Sequence, residues 1–194
     1  MSLTMTRSAA LRDHVAAGIL DIAAAVLADH GEQASMTDIA EAAGVSRATL
    51  YRYFPNREAL LRALQETALS DLAARIADAR LDSVPVDEAL ARMTRAVIGV
   101  TSKYRALALF AKTPEMSAQA DSNMIDPVRA LFHRGEAEQT FRTDLSIQTL
   151  IELYFGLIEG AVSRVIQGQL GVEQASAAIT TVFLTGALRD PARG

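Results

Sequence analysis

Apolar side chains recur at steps of three and four residues through most of the chain, which is the period of a helix with one buried face. The first such run extends from Leu11 to Leu27, and Gly31 behind it suits a left-handed helix cap. Further helices are predicted over residues 57–76, 85–100, 104–111, 126–138, 146–168 and 172–188. No stretch alternates apolar and polar residues for long enough to predict a strand, so the pattern predicts an all-α protein.

Behind the first long helix, the sequence SMTDIAEAAGVSRATLYRYFP predicts two short helices joined by a turn. Ser35 and Asp38 have the spacing of a capping box, and Gly44 breaks the first short helix. Ser46 can cap the second short helix, and Pro55 stops it. This arrangement is a helix-turn-helix. Its inward-facing residues are predicted to be Ile39, Ala40, Val45, Leu50 and Phe54.

Charge is distributed unevenly along this chain. The net charge is −4, so the surface as a whole does not attract nucleic acid, and any attraction must be local. The segment from Ala42 to Arg57 nevertheless contains three arginines and no acidic residue. A positive surface on a helix-turn-helix favours DNA binding. The alternative is that the arginines form only a solvated helix face and that the tyrosines fill a small core.

The outward-facing side chains of the second short helix have predicted roles in DNA recognition. In helix-turn-helix docking, the first turn of this helix meets the base edges, so Arg47 and Thr49 are predicted to contact bases. Ala48 presents a methyl group that suits a thymine methyl. Predicted phosphate contacts are Thr37, Tyr51, Tyr53 and Arg57. Arg52 is a further predicted DNA contact, and a surface ion pair is its alternative.

Composition argues against several other classes of protein. The chain has no cysteine, and its three histidines are scattered, so we expect no disulfide, no metal site and no cofactor. Nothing in the sequence arranges catalytic groups, and we therefore expect no enzyme. The chain has neither the apolar run of a signal peptide nor about 18 unbroken apolar residues, which predicts a cytoplasmic protein without membrane association. A helical protein-interaction module is another alternative, and it would show no salt-dependent affinity for DNA.

The segment MTDIAEAAGVSRATLYRYFPNREALLRAL, residues 36–64, closely resembles the tetracycline-repressor (TetR) family of bacterial transcriptional regulators. The resemblance lies in IAEAAGVS, TLYRYF and NREALL, and it covers about the first third of the chain. It implies a DNA-binding domain of three helices over residues 1–56. A helical ligand-binding and dimerisation domain would follow over residues 57–194, with a long fourth helix as the link. Arg7, ahead of the first apolar run, could reach a neighbouring phosphate.

The resemblance also implies a repressor that binds a palindromic operator in double-stranded DNA and is released by a small-molecule effector. The alternative is a constitutive or architectural DNA-binding protein without an effector. A palindromic operator requires a two-fold protein, so we expect a homodimer. The last two helices are apolar around more than one face, which predicts burial on two sides, and Gly156 and Gly160 permit close approach. Predicted interface residues are Ile151, Tyr154, Ile158, Val162, Ile166, Ile179, Val182 and Phe183, with an intrachain core as the alternative.

An effector site among the middle helices is a further implication of the resemblance. The composition favours a small apolar or amphipathic effector, because methionine and phenylalanine can line an adaptable pocket. The residues predicted to line it are Met93, Val97, Tyr104, Phe110, Met116, Met124, Phe132, His133 and Phe155. The same residue types fill ordinary cores, and a surface position is the alternative for His133. Effector binding is expected to move the long fourth helix and so to change the spacing of the two recognition helices.

Overall fold

A computed structural model of the chain describes residues 2–109 and 125–188, with side chains for residues 11–107 and 125–188. The described secondary structure is helical, apart from an isolated antiparallel bridge between Phe141 and Leu188. The predicted all-α class is therefore confirmed. Three of the predicted effector-site residues, Phe110, Met116 and Met124, lie outside the described residues.

Eight α-helices lie in the described part of the chain. They are α1 Ser2–His30, α2 Met36–Ala42, α3 Arg47–Tyr53, α4 Arg57–Asp78, α5 Val86–Lys103, α6 Asp126–Ala137, α7 Ile147–Ile166 and α8 Val172–Ala187. The helix predicted from Tyr104 onward is instead a 3-10 turn over Arg105–Leu109. There the amide of Leu107 donates to the carbonyl of Tyr104, three residues earlier, at 2.9 Å. A short apolar repeat of three residues suits either kind of helix, so the sequence did not separate them.

The described residues group into two compact units. Unit 1 contains the residues up to Ala68 together with those from Lys103 to residue 109. Unit 2 contains Leu69–Ser102 and the described residues from Ile125 onward. Helix α4 therefore contributes its first part to unit 1 and its last part to unit 2. The domain boundary predicted after Asn56 lies about three helical turns earlier in the sequence and remains a prediction.

Unit 1 is built on the apolar face of α1. The buried residues of α1 to α4 in this unit are Ile19, Leu20, Ala23, Ala24, Leu27, Met36, Ile39, Ala40, Leu50, Phe54, Leu60, Leu64 and Ala68. Gly31 ends α1 with φ at 60°, as the sequence predicts. Asp21 and Asp29 of α1 also hold the segment after α5, through ion pairs of 3.1 Å with Lys103 and 3.3 Å with Arg105.

Unit 2 has an aromatic cluster at its core. Its members are Phe132, Phe141, Tyr154 and Phe183, with ring centroids 5.3 to 5.6 Å apart in four of the pairs. The Tyr154 hydroxyl lies 2.8 Å from that of Thr94, which itself donates to the Leu90 carbonyl at 2.7 Å. Because a threonine hydroxyl has one proton, Tyr154 is the donor to Thr94. Burial raises the pKa of Tyr154.

Two arginines hold the connection between α4 and α5. Arg92 of α5 donates to the carbonyl of Ala79 at 2.8 Å. Arg134 of α6 donates to the carbonyls of Leu81 and Val84, at 2.7 and 3.1 Å. The last carbonyls of a helix lack partners within the helix, and the guanidinium of Arg92 supplies one just beyond the end of α4.

Candidate nucleic-acid interface

Side-chain caps begin both short helices of the helix-turn-helix. The Ser35 hydroxyl accepts from the amide of Asp38 at 3.2 Å, and the Ser35 amide donates to the Asp38 carboxylate at 2.8 Å. This reciprocal pair is the predicted capping box. The amide of Ser35, followed by its hydroxyl, lowers the pKa of Asp38. Helix α2 therefore starts at a defined residue.

The turn between α2 and α3 is equally defined. Gly44 has φ at 65°, a left-handed conformation that favours glycine, and the amide of Val45 donates to the carbonyl of Ala40 at 3.0 Å. The Ser46 hydroxyl accepts from the amide of Thr49 at 3.1 Å and lies 2.9 Å from the Thr49 hydroxyl. These bonds fix the direction of α3 as the sequence predicts.

The predicted DNA contacts of α3 lie on its outer surface. Arg47, Ala48, Tyr51 and Arg52 are exposed, and Thr49 and Tyr53 are half-buried. Thr37, in the first turn of α2, is also half-buried. On the opposite side of α3, Leu50 is fully buried. The predicted division of α3 into an inner and an outer face is thus seen in the structure, while the contacts with DNA remain predictions.

Positive charge on this surface is not neutralised by the described part of the protein. Arg47 forms no hydrogen bond or ion pair with any described residue. Arg52 contacts the ring of Tyr53, with its guanidinium carbon 5.6 Å from the centroid, and it has no ion pair within the described ranges. Other arginines of unit 1 differ, because Arg62 and Arg105 pair with carboxylates at 3.2 and 3.3 Å.

Arg57 differs from the other predicted contacts. Its guanidinium donates to the backbone carbonyl of Ala34 and, at 3.3 Å, to that of Glu32. Arg57 is half-buried, next to Asn56, which caps α4 by accepting from the amide of Ala59 at 2.7 Å. The side chain predicted to reach phosphate therefore ties α4 to the segment before α2, a structural role that the sequence did not indicate.

A residue of α1 joins this surface without having been predicted. The guanidinium carbon of Arg12 lies 5.8 Å from the centroid of the Tyr53 ring. Arg12 is exposed and forms no ion pair with any residue that the structure describes. Sequence spacing could not have found it, because its proximity to Tyr53 depends on how α1 packs against the helix-turn-helix.

The dimensions of α3 suit the major groove of a DNA duplex. Its seven residues span about 10 Å at 1.5 Å per residue, and the groove is about 12 Å wide. The guanidinium of Arg47, exposed in its first turn, can donate two hydrogen bonds to one guanine. Cations at its other end can bind phosphates. The arrangement can therefore both read bases and hold the backbone.

Most residues predicted for the dimer interface lie in the core of the single chain. Those buried in unit 2 are Ile151, Tyr154, Ile158, Ile179 and Phe183. Tyr154 and Phe183 belong to the aromatic cluster. These two residues therefore lie in the intrachain core, which was the alternative to a place in the interface. Val162 and Ile166 are half-buried, and Val182 is 62% exposed. Leu153, which was not predicted, is 53% exposed.

The residues predicted to line an effector site are divided between the two units. Met93, Val97 and Phe132 are buried in unit 2, and Phe155 is half-buried there. Tyr104 is buried in unit 1, with the Lys103 ammonium 4.9 Å from its ring centroid. His133 is exposed and lies 3.3 Å from the Glu136 carboxylate, as expected for a surface histidine. His133 therefore has the surface position that was the alternative to a place in the effector site.

Two further kinds of feature are absent from the described residues. None of these helices is both long and apolar enough to cross a membrane. The same part of the chain holds no cluster of three His, Asp or Glu residues able to bind a metal ion.

Comparison with known proteins points to the same part of the chain. Residues 19–64 match the family model for bacterial regulatory proteins of the tetR family. Over 168 residues the chain is 28% identical to the HTH-type transcriptional regulator NfxB of Pseudomonas aeruginosa, covering 83% of this chain and 88% of NfxB. It is 48% identical over 82 residues to the HTH-type transcriptional repressor LfrR of Mycolicibacterium smegmatis, covering 42% of this chain and 43% of LfrR.

Solved structures extend the similarity over nearly the whole chain. The TetR family regulator PfmR from Thermus thermophilus has a TM-score of 0.73 at 24% identity, over 88% of this chain and 99% of PfmR. LfrR from Mycobacterium smegmatis in complex with proflavine has a TM-score of 0.65 at 28% identity, over 91% and 99%. With the helix-turn-helix and the exposed Arg47 and Arg52 on its second helix, these findings indicate the class of protein. They support a TetR-family protein, and the chain is a DNA-binding transcriptional regulator.

Proposed function

We propose that the protein is a repressor that binds a palindromic operator as a homodimer and leaves it when a small apolar or amphipathic molecule binds. The observation that carries this proposal is the outer face of α3. Arg47 and Arg52 are exposed there without a carboxylate partner among the described residues, on a chain of net charge −4. The phosphate backbone of a DNA duplex would neutralise these two charges.

The two arginines suit different parts of the operator. Arg47 lies in the first turn of α3, which meets base edges in helix-turn-helix complexes, so it is assigned to base recognition. Arg52 and Tyr53 end the helix and are assigned to the phosphate backbone. Ser46 caps α3 and holds the Thr49 hydroxyl, which orients this first turn before DNA arrives.

The occupant proposed for the outer face of α7 and α8 is a second copy of the chain. Grooves of about 470 and 350 Å³ lie along these two helices and share Gly156, Leu157 and Val182. A Cβ added at Gly156 or Gly160 would meet no heavy atom within 4 Å. Small residues beside exposed apolar side chains allow two helix pairs to approach closely, as in a four-helix bundle. The two-fold symmetry of a palindromic operator requires such a pairing.

A small-molecule effector is proposed to bind in unit 2. The LfrR structure contains proflavine and is 28% identical to this chain, which supports a small-molecule ligand for this chain as well. Met93, Val97 and Phe132 give α5 and α6 an apolar interior that suits an apolar or amphipathic molecule. Helix α4 has residues in both units, so a change in unit 2 can reach the DNA-binding helices through it. A coupling of about 1–3 kcal/mol is usual between two such sites.

The burial of two core residues favours a second function, that of a DNA-binding regulator without an effector. Met93 and Phe132 are fully buried, so they complete a core without any ligand. A constitutive DNA-binding regulator would need nothing more from these residues. Melting curves with and without added ligand separate the two proposals.

The principal test is selection of bound duplexes from a random pool at a stated salt concentration. The expected product is a palindrome whose half-sites lie about 34–36 Å apart or a multiple of that distance. Proflavine, as a probe, should then raise the melting temperature and lower the affinity for the selected duplex. Failure to retain any duplex at low salt would contradict the repressor proposal. Retention that no ligand changes would support the constitutive alternative.

A further inference from the structure

The ring of Tyr53, at the end of α3, is the meeting point of two guanidinium groups. Arg52 approaches it from the same helix at 5.6 Å, and Arg12 approaches it from α1 at 5.8 Å. Neither arginine has a carboxylate within ion-pair distance in the described part of the chain. Two like charges therefore share one half-buried aromatic ring, and the contact with the ring is a weak compensation in water.

Three other described cations of unit 1 give the contrast. Arg62 pairs with Glu58, Arg105 with Asp29 and Lys103 with Asp21. Asp13 follows Arg12 directly in α1, but consecutive helix positions do not face each other, and no ion pair joins these two described residues. The sequence before Asp13 also contains no acidic residue. An external anion is the partner that this pair of cations lacks.

The length of α3 indicates which anion binds to these two cations. If its first turn lies at the base edges, its last residues lie about 10 Å away, close to the edge of a groove about 12 Å wide. Phosphates line that edge. Arg12, held against the last residue of α3, is then beside the backbone and away from the bases.

We propose that Arg12 is a phosphate contact for double-stranded DNA, positioned by the ring of Tyr53, which extends the DNA-binding surface from the helix-turn-helix onto α1. The inference rests on the DNA-binding function proposed above. Tyr53 is the positioning residue, because its ring holds the Arg12 guanidinium beside that of Arg52. The contact adds affinity without reading sequence.

The experiment measures how the affinity of the full-length protein for DNA depends on salt. The probes are the duplex selected from the random pool and an unrelated duplex of equal length, each labelled for fluorescence anisotropy. Arg12→Ala should lower the slope of log K against log salt by about 0.9 for each bound subunit, the loss of one phosphate contact. Affinity for both duplexes should fall by the same factor, and Arg12→Lys should keep most of the slope.

Three further variants separate the effect of the position of Arg12 from the effect of its charge alone. Arg62→Ala removes an exposed arginine of unit 1 that has its own carboxylate partner, and it should leave the slope unchanged. Tyr53→Phe keeps the ring, so Arg12→Ala should have its full effect in that background. Tyr53→Leu removes the ring, and the effect of Arg12→Ala should then shrink. Circular dichroism melts establish that each variant is folded.

The outcomes distinguish the two proposals. If the wild-type protein binds no duplex at low salt, both the function and the role of Arg12 are overturned. If the wild-type protein binds and Arg12→Ala keeps the wild-type slope, only the role of Arg12 is overturned. An equal loss in Arg12→Ala and Arg62→Ala would also overturn it, because general charge would then explain the effect.

Discussion

The guanidinium of Arg57, at the start of α4, donates a hydrogen bond to the backbone carbonyl of Ala34, in the segment just before α2. Ala34 is almost completely buried, so its carbonyl depends on a partner from the protein. This bond connects the first turn of α4 to the helix-turn-helix. An arginine whose sequence position suggested a DNA contact therefore also holds the DNA-binding unit together.

Replacement of Arg57 by alanine is expected to destabilise the protein. The free energy of unfolding should fall by about 1–3 kcal/mol, the cost of leaving a buried carbonyl without its partner. Urea denaturation at one fixed protein concentration measures the change. Arg62→Ala is the control, because its exposed pair with Glu58 should contribute less than about 1 kcal/mol. Equal stabilities of the two variants would show that the bond to Ala34 has no structural role.

Arg47→Ala is expected to alter sequence preference without altering stability. Arg47 forms no hydrogen bond or ion pair with the described protein, so its removal leaves no buried group unpaired. If it donates two hydrogen bonds to one guanine, discrimination at a single base pair should fall by about 1–3 kcal/mol. Titration of the selected duplex and its single-base variants measures this change.

Arg52→Ala serves as the comparison for Arg47→Ala. Its assigned contact is phosphate, so affinity for all duplexes should decrease by a similar factor. A uniform loss in both variants would mean that Arg47 reads no base.

Local chemistry explains why the helix-turn-helix could be predicted from its sequence. The caps at Ser35, Ser46 and Asn56 and the left-handed turns at Gly31 and Gly44 depend on neighbours within four residues, and the structure contains all of them. Each of these signals acts over less than two helical turns. Their number and order therefore define the unit before any tertiary contact is known.

The remaining features depend on contacts between distant segments. The approach of Arg12 to Tyr53 and the bond from Arg57 to Ala34 have no signature in the spacing of residues. In α8, Phe183 enters the aromatic cluster while its neighbour Val182 faces outward. Apolar residues around a whole helix show that two of its sides are buried. They do not show which side packs against the same chain and which against a partner. The residues predicted for the interface therefore include some that lie in the core of the single chain, and the exposed Leu153 is not among them.

Gly135 of α6 is expected to tolerate no side chain. A Cβ at this position would overlap the ring of Phe141, which stacks on Phe132 in the aromatic cluster. Gly135→Ala should lower the free energy of unfolding by about 1–3 kcal/mol, because an overpacked core must shift. Gly18→Ala is the control, since Gly18 lies in α1 with no heavy atom within 4 Å of an added Cβ. That variant should be as stable as wild type or up to about 1 kcal/mol more stable.

Tyr154 is expected to make the protein sensitive to alkali. Its pKa is raised by burial above the ordinary value of 10.0, so the folded state keeps this proton after the unfolded chain has released it. The contribution of neutral Tyr154 is complete below pH 10 and is lost as the pH rises above it, by at most about 1.4 kcal/mol per pH unit. Urea denaturation between pH 8 and pH 11 measures the trend.

Tyr154→Phe is the matched variant for the alkaline trend. It removes the hydrogen bond to Thr94 and should cost about 1 kcal/mol at pH 8. Its stability should then fall less steeply than that of wild type above pH 10. Parallel curves for the two proteins would mean that Tyr154 ionises normally in the folded state.

Val182→Glu is expected to separate the proposed homodimer. Val182 is exposed in the single chain and lines both grooves of α7 and α8, so a carboxylate there would be buried without a partner when two copies meet. The variant should elute as a monomer in size-exclusion chromatography at concentrations where the wild type is a dimer. Its affinity for the palindromic duplex should fall at least tenfold, because the two half-sites are no longer bound by one particle. Ala74→Glu, which adds the same charge to an exposed position of α4, should remain dimeric. A dimer that survives Val182→Glu would place the interface on another surface of the chain.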